Sequence, residues 1–195
     1  MSKLLGAGAV AGLAAPILGF VCILSAVASY AQFNWTQNAL SDLGVVSGLT
    51  GVLFNFGLVG AGALAFIFSV LGVFSFTGKR WVSKLGSAVF AAACISLICI
   101  GIFNEHFSPT HYLVSVAFFT LAPIALLILT CAFYLNRQKG TAVFTLAIGV
   151  AAAIPWILEF TVKYVSGVAI PEALSGLAVS AWAIVLAIKM LKSNR

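Results

Sequence analysis

Residues 51–76 read GVLFNFGLVGAGALAFIFSVLGVFSF, from Gly51 to Phe76, without one charged side chain. A run of this length exceeds the roughly 20 residues with which an α-helix crosses the hydrocarbon core of a bilayer. It is also too continuous for the alternating strands of a membrane β-barrel. Five further charge-free runs accompany it: Leu4 to Ala28, Leu85 to Phe103, Tyr112 to Leu135, Thr141 to Leu158 and Ala173 to Ile188. The last is short, and Ile170 and Pro171 extend it. Only helices and closed barrels satisfy their backbone groups inside lipid. The pattern therefore predicts an all-α integral membrane protein, a bundle of six transmembrane helices forming a single domain over residues 1–195. The first run is too long for the apolar region of a signal peptide, so it is read as the first helix.

Composition points the same way. Of 195 residues, 63% are hydrophobic and 7% charged, which excludes an ordinary soluble enzyme. The net charge of +6 would suggest a nucleic-acid partner on a soluble domain, but here the basic residues punctuate apolar runs and no such partner is expected. Lys3, Lys79, Arg80, Lys84, Arg137, Lys139, Lys189, Lys192 and Arg195 fall on one side of a six-span topology, leaving Lys163 alone opposite. By the positive-inside rule that side is cytoplasmic, with both termini, in a cell membrane. Loops 30–50, 104–111 and 164–171 are then extracytoplasmic. Trp81 suits the inner aromatic belt, and Tyr30, Trp35 and Tyr112 the outer one.

Cys22, Cys94, Cys99 and Cys131 are spread through the spans and imply no disulfide framework. Gly8 and Gly12, and the group Gly57, Gly60 and Gly62, are read as sites of close helix approach. Pro16, Pro123 and Pro155 lie within spans, where each removes a ladder hydrogen bond and favours a kink.

The chemistry is concentrated in the outer loops. In the first, Asn34 reads as an N-cap and Gly44 as a stop, predicting a short interfacial helix. Asn38 and Asp42, four apart, would share one of its faces. In the second, Ser108-Pro109 reads as an N-cap and first helical residue, which puts His111 in the first turn of the next helix and Ser115 one turn below. The helix dipole there favours a neutral imidazole, suited to a base or a metal ligand. Glu105, His106 and His111 make the candidate metal set, which would take a divalent ion, though the spacing matches no strong motif and a hydrogen-bonded loop latch explains the same residues. Glu159 sits near the outer end of the fifth helix, paired with Lys163 or turned into a cavity. Pro171-Glu172 reads as a helix start.

Together Asn38, Ser41, Asp42, Asn55, Asn104, Glu105, His106, His111, Ser115, Glu159 and Glu172 form one polar layer at the outer side, while the inner halves hold scattered hydroxyls such as Ser69, Thr130 and Thr145. An ion conduit needs polar groups near the midplane, so a shallow outward pocket fits better than a through-path.

The stretch Asn38 to Gly44, the segment Gly101 to Glu105, the His111 and Ser115 step with Phe118 and Phe119, and the Ile170-Pro171-Glu172 turn resemble the multi-pass membrane family called domain of unknown function 998, abundant in archaea. The similarity runs from the first helix to the sixth. It implies a membrane location and a helical fold, and brings no established reaction. Asn104 before Glu105 and His106 after it depart from the proline and acidic residues common there.

Two classes of function follow. In one, the outer layer binds, and chemically alters or simply holds, a lipid headgroup or small polar molecule: His111, Glu105, Asp42 and Ser115 would supply acid, base and orienting groups, and Asn38, Ser41, Asn55, Asn104, Glu159, Lys163 and Glu172 would contact the ligand. In the other, the polar loops latch the helices and the protein is a structural partner of another membrane protein or of its own copies. Transport of a small molecule is a weaker third.

Overall fold

The computed structural model describes residues 3–193, and among these the only regular structure is helical. Arg195, counted with the basic tail, lies outside them. Six helices are long and apolar enough to cross a membrane: α1 Lys3–Ser29, α2 Leu49–Phe76, α3 Trp81–Ile102, α4 Thr110–Leu135, α5 Lys139–Val162 and α6 Ala169–Lys192. Each packs on its sequence neighbours, and α6 returns to α1, so the six close into a ring. One end carries Lys79, Lys84, Lys139 and Lys192, and is called the basic end; the other carries Asp42, Glu105, Glu159 and Glu172, and is called the acidic end.

Between helices in lipid there is little hydrophobic drive, so close packing and hydrogen bonds hold them. Glycines supply the closeness. A Cβ on Gly8 would stand 2.5 Å from the Gly72 nitrogen, and one on Gly62 would stand 2.9 Å from the Ile98 nitrogen. Gly12 faces the Phe68 ring and Gly57 faces Cys22. Within α2 a π-helical segment, Phe68–Val73, lies at this crossing, and Ser69 Oγ donates to Ser87 O at 2.9 Å to tie α2 to α3.

The half of the ring nearer the basic end is filled. Phe68, Phe90 and Trp182 meet edge to face, with centroids 6.4, 5.9 and 5.1 Å apart, and Leu126, Leu129 and Phe133 of α4 complete the plug. Trp182 Nε1 donates to Thr145 Oγ1 at 3.1 Å. The basic end is closed by Asn136, whose Nδ2 donates to Thr77 O at 2.6 Å and to Ala132 O at 2.9 Å.

At the acidic end the structure corrects the reading of the first loop. No helix starts at Asn34; its Oδ1 accepts from Thr36 N at 2.9 Å in a local turn, which competes with helix formation. The regular element is a 3₁₀-helix, Leu40–Val45, capped at Ala39, with Leu40, Ser41, Leu43 and Gly44 buried against α1, α2 and α6. Its residues face into the protein because Leu40 and Leu43 join an apolar cluster with Phe54, Leu58 and Ile100. The preceding strand of backbone is zipped to the α5–α6 loop: Gly167 N donates to Thr36 O at 2.8 Å and Ala169 N to Asn38 O at 2.9 Å. Gly167 lies against the Gln37 and Asn38 backbone, where no Cβ fits. Residues 34–45 thus form a strap over the acidic end.

Candidate functional site

Beneath the strap, the turns of α4 and α5 at the acidic end enclose a chamber of about 490 Å³. Ala39 and Ser41 come from the strap, Glu105 and Ser108 from the α3–α4 loop, and Val168 and Glu172 from the start of α6. His111, Tyr112, Ser115, Val116, Phe119 and Thr120 line it from α4, and Trp156 and Phe160 from α5. Tyr112, Val116, Thr120 and Phe160 are exposed, so the chamber opens on the flank of the bundle between α4 and α5. A second cavity, of about 140 Å³, runs down inside the ring between Leu40, Phe54 and Ile100 above and Phe68, Phe90 and Ala183 below. The two share Ser41, Ser115, Phe119 and Glu172. A chamber whose mostly apolar walls carry a few polar groups therefore adjoins an apolar shaft that stops on the aromatic plug.

His111 is buried although it stands in the first turn of α4. Its Nδ1 lies 2.7 Å from Phe103 O, at the end of α3. A carbonyl only accepts, so the neutral ring carries its proton on Nδ1 and leaves Nε2 as an acceptor. That nitrogen lies 3.5 Å from Ser115 Oγ, one turn below. The cap of α4 differs from the expected one: the helix starts at Thr110, and the capping position falls on Pro109, which has no hydroxyl, while Ser108 lines the chamber. Latch and chamber wall are thus the same histidine. His111→Ala leaves the Phe103 carbonyl without its partner in a half-buried place, and a melting-temperature shift equivalent to about 1–2 kcal/mol is expected in detergent.

Glu172 does not cap its own helix. Its Oε2 accepts from Leu40 N at 2.6 Å, joining α6 to the strap across 132 residues of sequence. Pro171 is the third residue of α6, which begins two residues earlier at Ala169. Glu105 lines the chamber and its carboxylate has no hydrogen bond.

The remaining candidates stand apart from both cavities. Asp42 Oδ2 accepts from Asn38 Nδ2 at 2.7 Å and Ala39 N at 3.0 Å; Asn38 lies outside the 3₁₀-helix, so the two share no helix face and meet instead across its start. Asn55 Nδ2 and Asn104 Nδ2 both donate to Gly44 O, at 2.8 and 3.4 Å. His106 is exposed, and its backbone N–H donates to Asn104 Oδ1 at 3.2 Å. The set Glu105, His106 and His111 does not close on a common point: among the described residues no three His, Cys, Asp or Glu side chains are grouped to hold a metal ion. Glu159 and Lys163 form no ion pair. Lys163 is the left-handed cap of α5, with φ 49°, which takes its exposed side chain off the helix face on which an i,i+4 pair would form. Glu159 is buried, and its Oε2 has no partner. Partial burial, and secondarily the Glu159 carboxylate, push the nearby Tyr164 phenol above its ordinary value.

Two features were missed in the sequence. The first is an aromatic wall, Phe119, Trp156 and Phe160, with centroids 4.7 and 5.9 Å apart in succession. Trp156 and Phe160, four apart near the acidic end of α5, were its signal. The second is the shaft, whose walls include Gly19, Ala61 and Gly176. Small residues facing inward from three helices leave a void that no periodicity announces.

Fold and apolar surface together define an all-helical, multi-pass membrane protein. The model of the family described as Protein of unknown function (DUF998) matches residues 13–189, and the chain belongs to that family. No curated protein and no solved structure matches it.

Proposed function

We propose that this protein is a receptor within the membrane for a small amphiphile, whose polar head occupies the chamber and whose short apolar tail enters the shaft. The observation that carries this reading is the set of residues shared by the two cavities, Ser41, Ser115, Phe119 and Glu172. Polar groups held only as latches would be expected to bond to one another. Glu105 is instead without a partner on the chamber wall, which favours a binding role over a purely structural one. The shaft, about 140 Å³, is close to the roughly 150 Å³ of an engineered apolar cavity that accepts benzene, so it has room for about six carbon atoms.

The orientation follows the basic residues. In this reading both termini are cytoplasmic in the cell membrane, the six helices act as one domain, and the 3₁₀-helix Leu40–Val45 roofs the site at the outer interface. The ligand reaches the chamber sideways, from the outer leaflet, between α4 and α5. His111 and Ser115 anchor its head.

A glycerol monoether whose six-carbon chain ends in a diazirine tests this. Photolysis followed by peptide mapping is expected to label Phe68, Phe90, Val179 or Ala183 at the foot of the shaft. Labelling confined to Ile17, Val21 and Leu24, which are 62%, 59% and 54% exposed on the outside of α1, would reject the reading.

A further inference from the structure

We infer that the head group taken by the chamber is a cation, an ammonium carried on the short apolar tail. The inference rests on the amphiphile reading above and adds the chemical class of the head. Three observations carry it. First, Glu105 and Glu172 both line the chamber, and no lysine or arginine does. Lys163, the one basic residue at this end among those described, is exposed and stands outside it. Second, the carboxylates lack a positive partner. Glu105 makes no hydrogen bond, and Glu172 uses Oε2 on Leu40 N–H and leaves Oε1 unbonded. A carboxylate in a poorly solvated chamber is costly without a positive partner, and a bound cation supplies that partner. Third, Phe119, Trp156 and Phe160 form a continuous aromatic wall on the same chamber, the kind of surface that attracts quaternary ammonium groups through the ring quadrupole.

These features also act against the alternatives. A phosphate or carboxylate head would meet two carboxylates and no lysine or arginine on the wall, with His111 the one side chain there able to gain a positive charge. A neutral hydroxylated head could donate to the carboxylates but would gain little from the aromatic wall.

The test uses three probes with the same six-carbon chain, hexyltrimethylammonium, hexyl phosphate and hexyl glycerol ether, titrated into the full chain in lipid nanodiscs. The ammonium is expected to bind at least about tenfold tighter than the ether, and the phosphate more weakly than both. Trp156→Leu and Glu172→Gln are each expected to shrink that preference to about threefold or less while the ether still binds, since the amide oxygen of the Glu172→Gln variant keeps an acceptor for Leu40 N–H. Ether binding with no ammonium preference, or a preference for phosphate, would overturn this inference and leave the amphiphile reading standing. Failure of all three probes to bind would overturn both.

Discussion

Trp182→Ala is expected to lower the stability of the bundle by about 3–5 kcal/mol, the usual cost of truncating a fully enclosed tryptophan. Trp182 has no exposed surface and lies between Phe68 and Phe90, with centroids 5.9 and 5.1 Å away. In lipid the loss is chiefly one of packing, because the surrounding hydrocarbon is as apolar as the ring it replaces. Deletion also leaves Thr145 Oγ1 without the indole donor it now has at 3.1 Å. Trp182→Phe keeps much of the ring contact and forfeits the hydrogen bond, so a cost of about 1 kcal/mol is expected. Thermal unfolding in detergent reads both. A Trp182→Ala variant as stable as the parent would mean that the aromatic plug does not hold the ring together.

Gly176→Leu should have the opposite profile, with little effect on the fold and a large one on binding. Gly176 lines the shaft, and a Cβ built on it meets nothing nearer than the Phe20 ring, at 3.9 Å. A leucine there puts four carbons into a space sized for about six. Affinity for a hexyl glycerol ether is expected to fall on the order of 100-fold, the equivalent of several buried methylenes at about 0.8 kcal/mol each. The ethyl ether, too short to reach down the shaft, should lose less than about threefold. Equal losses for both would point to a general disturbance of the site in place of an occupied shaft.

The helices were legible because each span is announced by a run of residues that lacks charge, and the glycines singled out within them stand at close helix contacts. Gly8 and Gly12 do face α2 at close range. The spacing of Asn38 and Asp42 suggested a shared helix face, whereas the two bond to each other across the start of a helix that begins only at Leu40. What joins distant segments was not legible. The bond from Leu40 N to Glu172 spans 132 residues, and nothing near either residue signals the other. The same holds for His111, whose partner is a main-chain carbonyl, a group every residue carries. The polar layer does gather toward the acidic end, but a shared end does not say which side chains turn inward. Of its members, Ser41, Glu105, His111, Ser115 and Glu172 meet in the chamber. Asp42, Asn55 and Asn104 tie down the strap. Glu159 misled because its lysine, four residues on, sits where the helix ends in a left-handed turn and the i,i+4 geometry fails.

The most direct test of an amphiphile seated across chamber and shaft is a chain-length series. Alkyl glycerol ethers from two to ten carbons, titrated into the wild-type protein in nanodiscs with affinity referred to the free aqueous ligand and uptake by protein-free nanodiscs subtracted, should gain about fourfold per methylene up to a chain of about six carbons and then stop gaining, as the tail meets the floor at Phe68 and Phe90. An affinity that climbs without a break through ten carbons, or one that ignores chain length altogether, would contradict the account.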